Sequence, residues 1–135
     1  MLINARLFVY GTLLSTAGHP MGARLRREAR LVGPAAIRGR LYSLGHYPGL
    51  VEAAEARSLV HGELYALDTP AVTLRWLDTY EGILPGRRMD GPYERCVRTV
   101  QLGSGGRADA WVYLYRRSVR LRPQVEGGRW IAPQS

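Results

Sequence analysis

The stretch Phe8-Val9-Tyr10-Gly11-Thr12-Leu13-Leu14, FVYGTLL, decides how this chain is interpreted. It begins as an apolar run that fits a buried strand, and it then meets a glycine and a hydroxyl residue. Gly11 permits backbone angles that other residues avoid, so successive N–H groups after the strand can point the same way. Such a run of donors binds a carboxylate or a phosphate without a charged side chain. A plain turn at the end of the strand is the alternative that this pattern leaves open.

More short strands follow, each bounded by turn-forming residues. The segment Gly103-Ser104-Gly105-Gly106 predicts a hairpin between the last two strands. A loop is predicted over residues 45–49, where glycine, histidine, tyrosine and proline follow one another. The predicted strands are residues 6–10, 36–44, 59–67, 93–102 and 107–115.

Two helices are predicted between these strands. Residues 20–30 carry apolar side chains at i, i+4 spacing, and we expect that helix to end near Gly33-Pro34. The second helix begins at Asp68-Thr69-Pro70, which offers an N-cap oxygen followed by proline, and it ends at Gly82. Strands outnumber helices. The pattern therefore predicts one α+β domain over residues 1–135, with a sheet that curls into a small barrel flanked by about two helices.

The chain is strongly basic, with a net charge of +8 over 135 residues. All 19 basic side chains are arginine, and they are scattered along the sequence. Their two modest clusters are not interleaved with aromatic residues, as a base-stacking surface would require. We therefore expect solvated faces and no nucleic-acid partner. A basic surface still raises the local concentration of acidic small molecules.

The cysteine and histidine content argues against disulfides and metals. Cys96 is the single cysteine, so no intramolecular disulfide can form, and we expect a reducing compartment and a buried structural thiol. His19, His46 and His61 lie far apart and lack ligand-like spacing, so no metal site is expected. No apolar run approaches the roughly 20 residues of a membrane span. The sequence predicts a cytoplasmic protein without a membrane partner.

Glu81 is the candidate acid/base. It stands at the predicted end of the second helix, immediately before Gly82. A carboxylate is disfavoured there because the helix macrodipole is negative at its C-terminus. The same field, with partial burial, would raise the pKa of Glu81 towards the range of a general base. The alternative is a solvated glutamate at a frayed helix end.

The sequence also leads to predictions for four other polar or aromatic side chains. Asp78 is expected on the helix surface. Glu63 lies in a predicted strand and is expected to pair with an arginine. Tyr113 and Tyr115 share one face of the last strand with Trp111. Strand periodicity makes these tyrosines either core residues or the lining of a cavity, and it does not separate the two.

Seven segments, taken in order along nearly the whole chain, resemble the gamma-glutamylcyclotransferase-like superfamily, and its small bacterial and plant members most of all. Each segment is short, and the resemblance depends on their order. The segments are Tyr10-Gly11-Thr12-Leu13, Tyr42-Ser43-Leu44-Gly45-His46-Tyr47-Pro48-Gly49, Val60-His61-Gly62-Glu63-Leu64-Tyr65, Leu77-Asp78-Thr79-Tyr80-Glu81-Gly82, Tyr93-Glu94-Arg95, Ala110-Trp111-Val112-Tyr113-Leu114-Tyr115 and Gly127-Gly128-Arg129-Trp130.

The resemblance implies a mixed-strand barrel with one cavity and a defined chemistry. A gamma-glutamyl amine or amide would be converted to 5-oxoproline and a free amine, with Glu81 as the acid/base and with no metal or other cofactor. The backbone donors of Gly11, Thr12 and Leu13 would hold the glutamyl carboxylate. The remaining implied substrate-binding residues, which supply hydroxyls, walls or the border of the opening, are Tyr10, Tyr47, Pro48, Tyr113 and Tyr115.

Three points stay open at the level of sequence. A non-catalytic module that binds a small carboxylate on the same fold is the alternative function. The amine half of a gamma-glutamyl substrate is not specified, because peptides, lysine side chains and polyamines present the same glutamyl head. The chain is expected to be a monomer or a homodimer.

Overall fold

The computed structural model of the chain describes residues 4–53, 57–83 and 91–131. These residues form six strands and two α-helices, and one turn of 3₁₀ helix, Glu126–Gly128, lies in the C-terminal tail. In chain order the elements are β1 (Arg6–Val9), α1 (Pro20–Glu28), β2 (Ala29–Ser43), β3 (Pro48–Glu52), β4 (Leu59–Leu67), α2 (Pro70–Tyr80), β5 (Tyr93–Leu102) and β6 (Arg107–Tyr115).

Five of the strands close into a mixed β-barrel. Their order around the barrel is β2, β4, β1, β6 and β5, and the pairing of β5 with β2 completes the ring. β1 and β6 run parallel, with Leu7 opposite Trp111, while the other barrel pairs are antiparallel. β3 lies outside the ring and pairs with β2. The predicted small mixed-strand α+β barrel with two helices is confirmed.

The barrel interior is filled by aliphatic and aromatic side chains from its strands. Side chains alternate between the two faces of a strand, so each strand contributes every second residue to the interior. β1 and β6 run in the same direction, so both point towards the same end of the barrel. The largest fully buried side chains are Tyr65, Phe8, Leu7, Leu25, Leu41, Leu50, Leu64, Leu77, Leu114, Val60, Val100 and Val112.

The boundary between α1 and β2 differs from the prediction. α1 ends at Glu28, and β2 begins at once with Ala29 instead of residue 36. β2 therefore runs through Gly33-Pro34, where a helix end was expected. It pairs with β4 along this length and shifts register between Leu31 and Gly33. A β-bulge of this kind lets a strand continue through residues that local patterns assign to a turn.

The predicted loop at residues 45–49 is shorter than expected because β3 begins at Pro48. Proline is tolerated as the first residue of a strand, since it gives up only a donor. β3 pairs antiparallel with the last third of β2, from Gly39 opposite Glu52 to Ser43 opposite Pro48. This strand depends on its partner for its hydrogen bonds, so the local sequence pattern does not reveal it.

α2 begins close to the predicted position but without the predicted side-chain cap. Thr69 is the N-cap residue and Pro70 follows it, yet the Thr69 hydroxyl makes no capping hydrogen bond. The backbone carbonyl of Thr69 accepts from the Thr73 N–H group at 3.0 Å and so begins the helix. Thr73, Leu74 and Leu77 are buried and hold α2 against the barrel. Neither described helix combines the length and the apolar character that crossing a bilayer requires.

The C-terminal tail is anchored on the barrel by Trp130, which is 8% exposed and belongs to the hydrophobic core. The Val125 N–H donates to the Leu41 carbonyl at 2.7 Å, so the tail also pairs with β2. Gly128 lies so close to β4 that a Cβ atom there would collide with the carbonyl oxygen of Leu59.

Candidate active site

A cavity of about 470 Å³ opens beside the C-terminal end of β1. It brings together eight of the nine site residues predicted from the sequence, and Tyr115 is the exception. The lining residues are Phe8, Val9, Tyr10, Gly11, Thr12, Leu13, His19, His46, Tyr47, Pro48, Tyr80, Glu81, Gly82, Pro92, Tyr93 and Tyr113.

Gly11 is required by a close approach and not by an unusual backbone conformation, which corrects the sequence-based reasoning. Gly11 does not adopt a positive φ angle, so its backbone is open to other residues. A Cβ atom at this position would lie 2.8 Å from Cγ and 2.9 Å from Cδ of Pro48. The glycine therefore lets the turn after β1 pack directly on the first residue of β3.

The turn after β1 leaves a row of backbone donors beside the cavity. The Leu14 N–H donates to the Gly11 carbonyl at 3.0 Å and closes the turn. Among the hydrogen bonds of the described residues, none uses the backbone N–H groups of Gly11, Thr12 or Leu13. N–H groups in a turn conformation can converge on an anion, so these three are available to a carboxylate.

Two contacts brace this turn from outside. Glu63 of β4 accepts hydrogen bonds from the Ser15 N–H at 2.7 Å and from the Ser15 hydroxyl at 2.5 Å. The expectation that Glu63 pairs with an arginine is therefore wrong, and it anchors the turn instead. The Thr12 and Tyr80 hydroxyls share a hydrogen bond of 2.8 Å, which ties the turn to the last residue of α2.

The C-terminus of α2 determines where Glu81 lies. Gly82 adopts a φ of 82°, and its N–H donates to the Thr79 carbonyl at 3.1 Å. The N–H of buried Ile83 donates to the Asp78 carbonyl at 2.7 Å. These two bonds form the Schellman motif, which ends a helix with a left-handed residue, usually glycine. Glu81 is thus held as the C-cap residue, at the edge of the cavity.

Glu81 has an elevated proton affinity because of burial and of the negative charge of Asp78. The side chain is partly exposed through the cavity, and the protein around it raises the pKa of its carboxyl to about 7, first by burial and then through the negative charge of Asp78. In the described part of the chain, no ion pair or hydrogen bond to the Glu81 carboxylate is present. A pKa near neutrality is the value that suits a general acid/base.

The negative charge of Glu81 is felt by the tyrosines around it. Burial raises the pKa of Tyr93 far above its usual value, and the Glu81 charge adds to this effect. The pKa of Tyr10 rises through burial, then through Tyr93 and then through Glu81. Burial and then the Glu81 charge also raise the pKa of Tyr80, against the hydrogen bond from Thr12. These hydroxyls therefore stay protonated around the carboxylate.

Three cavity tyrosines use their hydroxyls to hold the barrel together. Tyr10 donates to the Tyr113 carbonyl at 2.6 Å. Tyr93 donates to the Pro48 carbonyl at 2.6 Å, which fixes the start of β3. Tyr113 donates to Oδ1 of Asp78 at 2.7 Å. Since each of these protons already has an acceptor, the rings form the cavity wall.

Tyr115, also predicted as a substrate-binding residue, does not line the cavity. Its ring lies edge-on to Tyr93, with 5.4 Å between the centroids. A Cβ atom on Gly49 would lie 2.8 Å from its Cγ, so β3 packs against it. Tyr115 therefore supports the wall from behind. Tyr47 and Pro48 do line the cavity, and Tyr47 is half-exposed, as expected for residues at an opening.

Asp78 was expected on the helix surface, and it is half-buried in a hydrogen-bonded network beside Glu81. Arg95 donates from Nε to Oδ1 of Asp78 at 2.7 Å and from Nη2 to Oδ2 at 3.0 Å. The Arg95 guanidinium also lies 4.3 Å above the Trp111 ring. The sequence analysis did not single out Arg95 as a site residue. Its position in a strand that could lie opposite Asp78 and Glu81, the two acidic residues at the end of α2, was a usable signal.

His19 is a second residue that sequence reasoning missed. It is the N-cap of α1, and its Nδ1 accepts from the Met21 N–H at 3.1 Å. In a neutral imidazole Nε2 then carries the proton, and it lies 3.5 Å from the Tyr80 hydroxyl. His19 thus ends a chain that runs through Tyr80 to Thr12 along the cavity wall.

Metal and thiol chemistry find no support in the described residues. They contain no group of three or more histidine, cysteine, aspartate or glutamate side chains arranged to hold a metal ion. Cys96 is half-buried instead of buried, and its Sγ lies 3.4 Å from Oε1 of Glu94. Burial and then this hydrogen bond raise the pKa of the Cys96 thiol, which makes it a poor nucleophile.

Comparisons with known proteins agree with this arrangement. Residues 7–132 match the family described as gamma-glutamyl cyclotransferase, AIG2-like. The gamma-glutamylcyclotransferase family protein YtfP of Escherichia coli K12 is 36% identical over 127 residues, which cover 93% of this chain and 96% of the relative.

Two solved structures are similar to the barrel. A solution structure of ytfP from Escherichia coli superposes with a TM-score of 0.63 and 35% identity, and the match covers 93% of this chain and 96% of that chain. A crystal structure of an AIG2-like protein from Mus musculus gives a TM-score of 0.68 at 25% identity, with 97% of each chain covered. The chain belongs to the gamma-glutamyl cyclotransferase, AIG2-like family.

Proposed function

We propose that this chain converts a gamma-glutamyl amine or amide to 5-oxoproline and a free amine, with Glu81 as the catalytic acid/base. The observation that carries the proposal is the meeting of two features in one cavity. One is the Glu81 carboxylate, which has a pKa of about 7 and no ion pair with any described residue. The other is the row of available N–H groups at Gly11, Thr12 and Leu13.

The reaction closes a five-membered ring within the substrate. The alpha-amino nitrogen forms a bond with the gamma-carbonyl carbon, and the bond from that carbon to the leaving amine nitrogen breaks. Binding that holds the glutamyl chain curled near this geometry accelerates the reaction, because the amine and the carbonyl are already positioned for attack. The turn after β1 would bind the alpha-carboxylate, and the walls of Tyr10, Tyr93 and Tyr113 would keep the chain curled.

Glu81 would move one proton in two steps. Its carboxylate takes a proton from the substrate ammonium, which frees the nitrogen lone pair for attack. The protonated Glu81 then donates to the departing amine, so the carboxylate is regenerated. The ring nitrogen passes its second proton to the freed amine, which leaves as an ammonium ion, and no other reactant is consumed. General acid/base catalysis of this kind contributes about 10²–10⁴-fold.

The test is release of 5-oxoproline from a panel of gamma-glutamyl peptides, gamma-glutamyl-lysine and gamma-glutamyl polyamines, measured by mass spectrometry. Glu81→Gln preserves size and removes the basic oxygen, so we expect a loss of about 10²–10⁴-fold. Glu94→Gln is the matched control, because Glu94 pairs with Arg116 away from the cavity. Its activity should stay close to that of the parent.

Two outcomes would contradict the proposal. Release of 5-oxoproline by Glu81→Gln at the parent rate would remove Glu81 from the mechanism. Binding of glutamate without turnover of any panel member would favour a small-carboxylate-binding module on the same fold.

A further inference from the structure

A second cavity of about 270 Å³ lies where the C-terminal tail crosses β2 and β4. It shares no lining residue with the cavity of Glu81. Its walls come from β2, from the start of β4 and from the tail around the 3₁₀ turn. The lining residues are Gly39, Arg40, Leu41, Arg57, Ser58, Leu59, His61, Gln124, Val125, Gly127 and Gly128.

The charged and basic side chains at this cavity are all of one kind. Arg40, Arg57 and His61 line it, and no carboxylate does so among the described residues. Neither arginine takes part in an ion pair in the described part of the chain. Arg129 acts on the same site, since burial and then its positive charge lower the pKa of His61. Cationic groups that converge without a counter-charge repel one another, and a bound anion would relieve that repulsion.

The walls of this cavity are held in place by hydrogen bonds and packing. The Gly39 N–H donates to the Ser58 carbonyl at 3.1 Å, and the Ser58 hydroxyl donates to the Gly39 carbonyl at 2.7 Å. On the tail side, Gly127 and Gly128 adopt φ angles of 81° and 66°, which favour glycine. Buried Trp130 anchors the same segment. The cavity is therefore part of the folded barrel.

We propose that this second cavity binds a small anion that carries a phosphate group, held by Arg40 and Arg57 with His61 as a further donor. Planar guanidinium groups match the oxygens of phosphate and can bind them in pairs, which makes arginine the preferred residue for this recognition. A dianion would also favour the protonated form of His61. The imidazolium would then donate a hydrogen bond to the anion. The cavity volume leaves room beyond the phosphate group for a small organic part.

The probe is inorganic phosphate, and the readout is the pH titration of His61 followed by NMR, with its resonance assigned by loss in His61→Gln. Arg40 from β2 and Arg57 before β4 line the same cavity as His61, and the charge of Arg129 from the tail acts on its pKa. We expect phosphate to raise the pKa of His61. Acetate at equal ionic strength should have a smaller effect, because it offers one charge.

Arg40→Gln with Arg57→Gln tests the two arginines. Phosphate affinity, measured by the same NMR titration, should fall roughly tenfold or more, since charge-assisted bonds are lost. Arg75→Gln with Arg107→Gln is the matched control, because it removes the same charge from two exposed positions outside the cavity. Thermal unfolding establishes that all the variants fold.

Four results separate the outcomes. Glycerol 3-phosphate binding more tightly than inorganic phosphate would identify a phosphorylated metabolite as the ligand class, and equal affinity would identify the free ion. An unchanged His61 titration in phosphate would overturn the proposal. Equal losses in the cavity pair and the control pair would also overturn it, because the effect would then be one of net charge. None of these readouts depends on 5-oxoproline release.

Discussion

The two cavities of this barrel hold Glu81 and His61, and they shift the pKa values of these two side chains in opposite directions. In the first, burial and the like charge of Asp78 raise the pKa of Glu81 to about 7. In the second, burial and the like charge of Arg129 lower the pKa of His61. In both cases burial and a like charge disfavour the ionised form of the side chain. The difference lies in the ligand that would relieve each: a cationic ammonium beside Glu81 and an anion beside His61.

The two cavities also differ in the arginines of their described lining. The described lining of the Glu81 cavity contains no arginine, whereas two arginines line the second cavity. The net charge of +8 therefore does not reach the first cavity through its described walls. A cationic amine half is not repelled there by a lining arginine.

The largest effect is expected from a substitution that damages one cavity and leaves the other intact. In Gly11→Ala the new Cβ atom would lie 2.8 Å from Cγ of Pro48, so the turn after β1 must move away from β3. Misplacement of a binding group by about 1 Å can reduce turnover by about 10²-fold. We expect a loss of that size in 5-oxoproline release and no change in the response of His61 to phosphate.

The control for this variant is its own rescue. Pro48→Ala removes the two ring carbons that the new Cβ atom would meet. The double variant should recover most of the lost activity. Failure of Pro48→Ala to restore release would mean that Gly11 acts through its backbone freedom, as first inferred from the sequence.

Stability against pH tests the opposite tuning of the two groups without any ligand. A carboxyl whose pKa is raised by folding destabilises the folded state above that pKa and not below the unfolded value. Glu81→Gln should therefore be more stable than the parent at pH 8, by up to about 3 kcal/mol, and the gain should vanish near pH 4. Urea unfolding at each pH measures this difference.

His61→Gln provides the mirror image. Because folding lowers the pKa of His61, the parent loses stability as the pH falls through that value. The substitution should stabilise the protein at acidic pH and make no difference at pH 8. Gains of the same sign and pH dependence in both variants would refute the opposite tuning.

A smaller effect is expected from the Asp78–Arg95 network, which acts on Glu81 without reaching the substrate. Asp78→Asn removes a like charge and should lower the pKa of Glu81. Arg95→Gln removes the cation that partly neutralises Asp78, so it should raise that pKa. The carboxyl resonance of Glu81 in a carbon-13 NMR titration reports both shifts. Movement in the same direction would show that the network only supports packing.

The sequence predicted the parts of the fold that local patterns encode. The segments 59–67, 93–102 and 107–115 are strands with the predicted bounds, because alternation and glycine turns mark them. β3 and the first half of β2 were missed. Their hydrogen bonds come from distant strands, and Gly33-Pro34 resembles a stop signal in isolation.

Most residues of the site could be predicted from the sequence, but the contacts that explain their placement could not. Glu81 and the turn after β1 line one cavity. Both could be predicted, because the Schellman motif that ends α2 and the end of β1 are local features of the sequence. The reason for Gly11 was not local, since it depends on Pro48, which is distant in sequence. The same holds for Asp78, whose partner Arg95 comes from another element, and for Tyr115, which lies behind Tyr93.

The pH dependence of 5-oxoproline release tests the central claim most directly, because kcat/KM reports the ionisation of the free enzyme. If Glu81 must be deprotonated to take the ammonium proton, release should rise with pH along an acid limb with a midpoint of about 7. An acid limb near 4.5, the ordinary value for a glutamate, would contradict the account, since Glu81 would then behave as a solvated carboxylate.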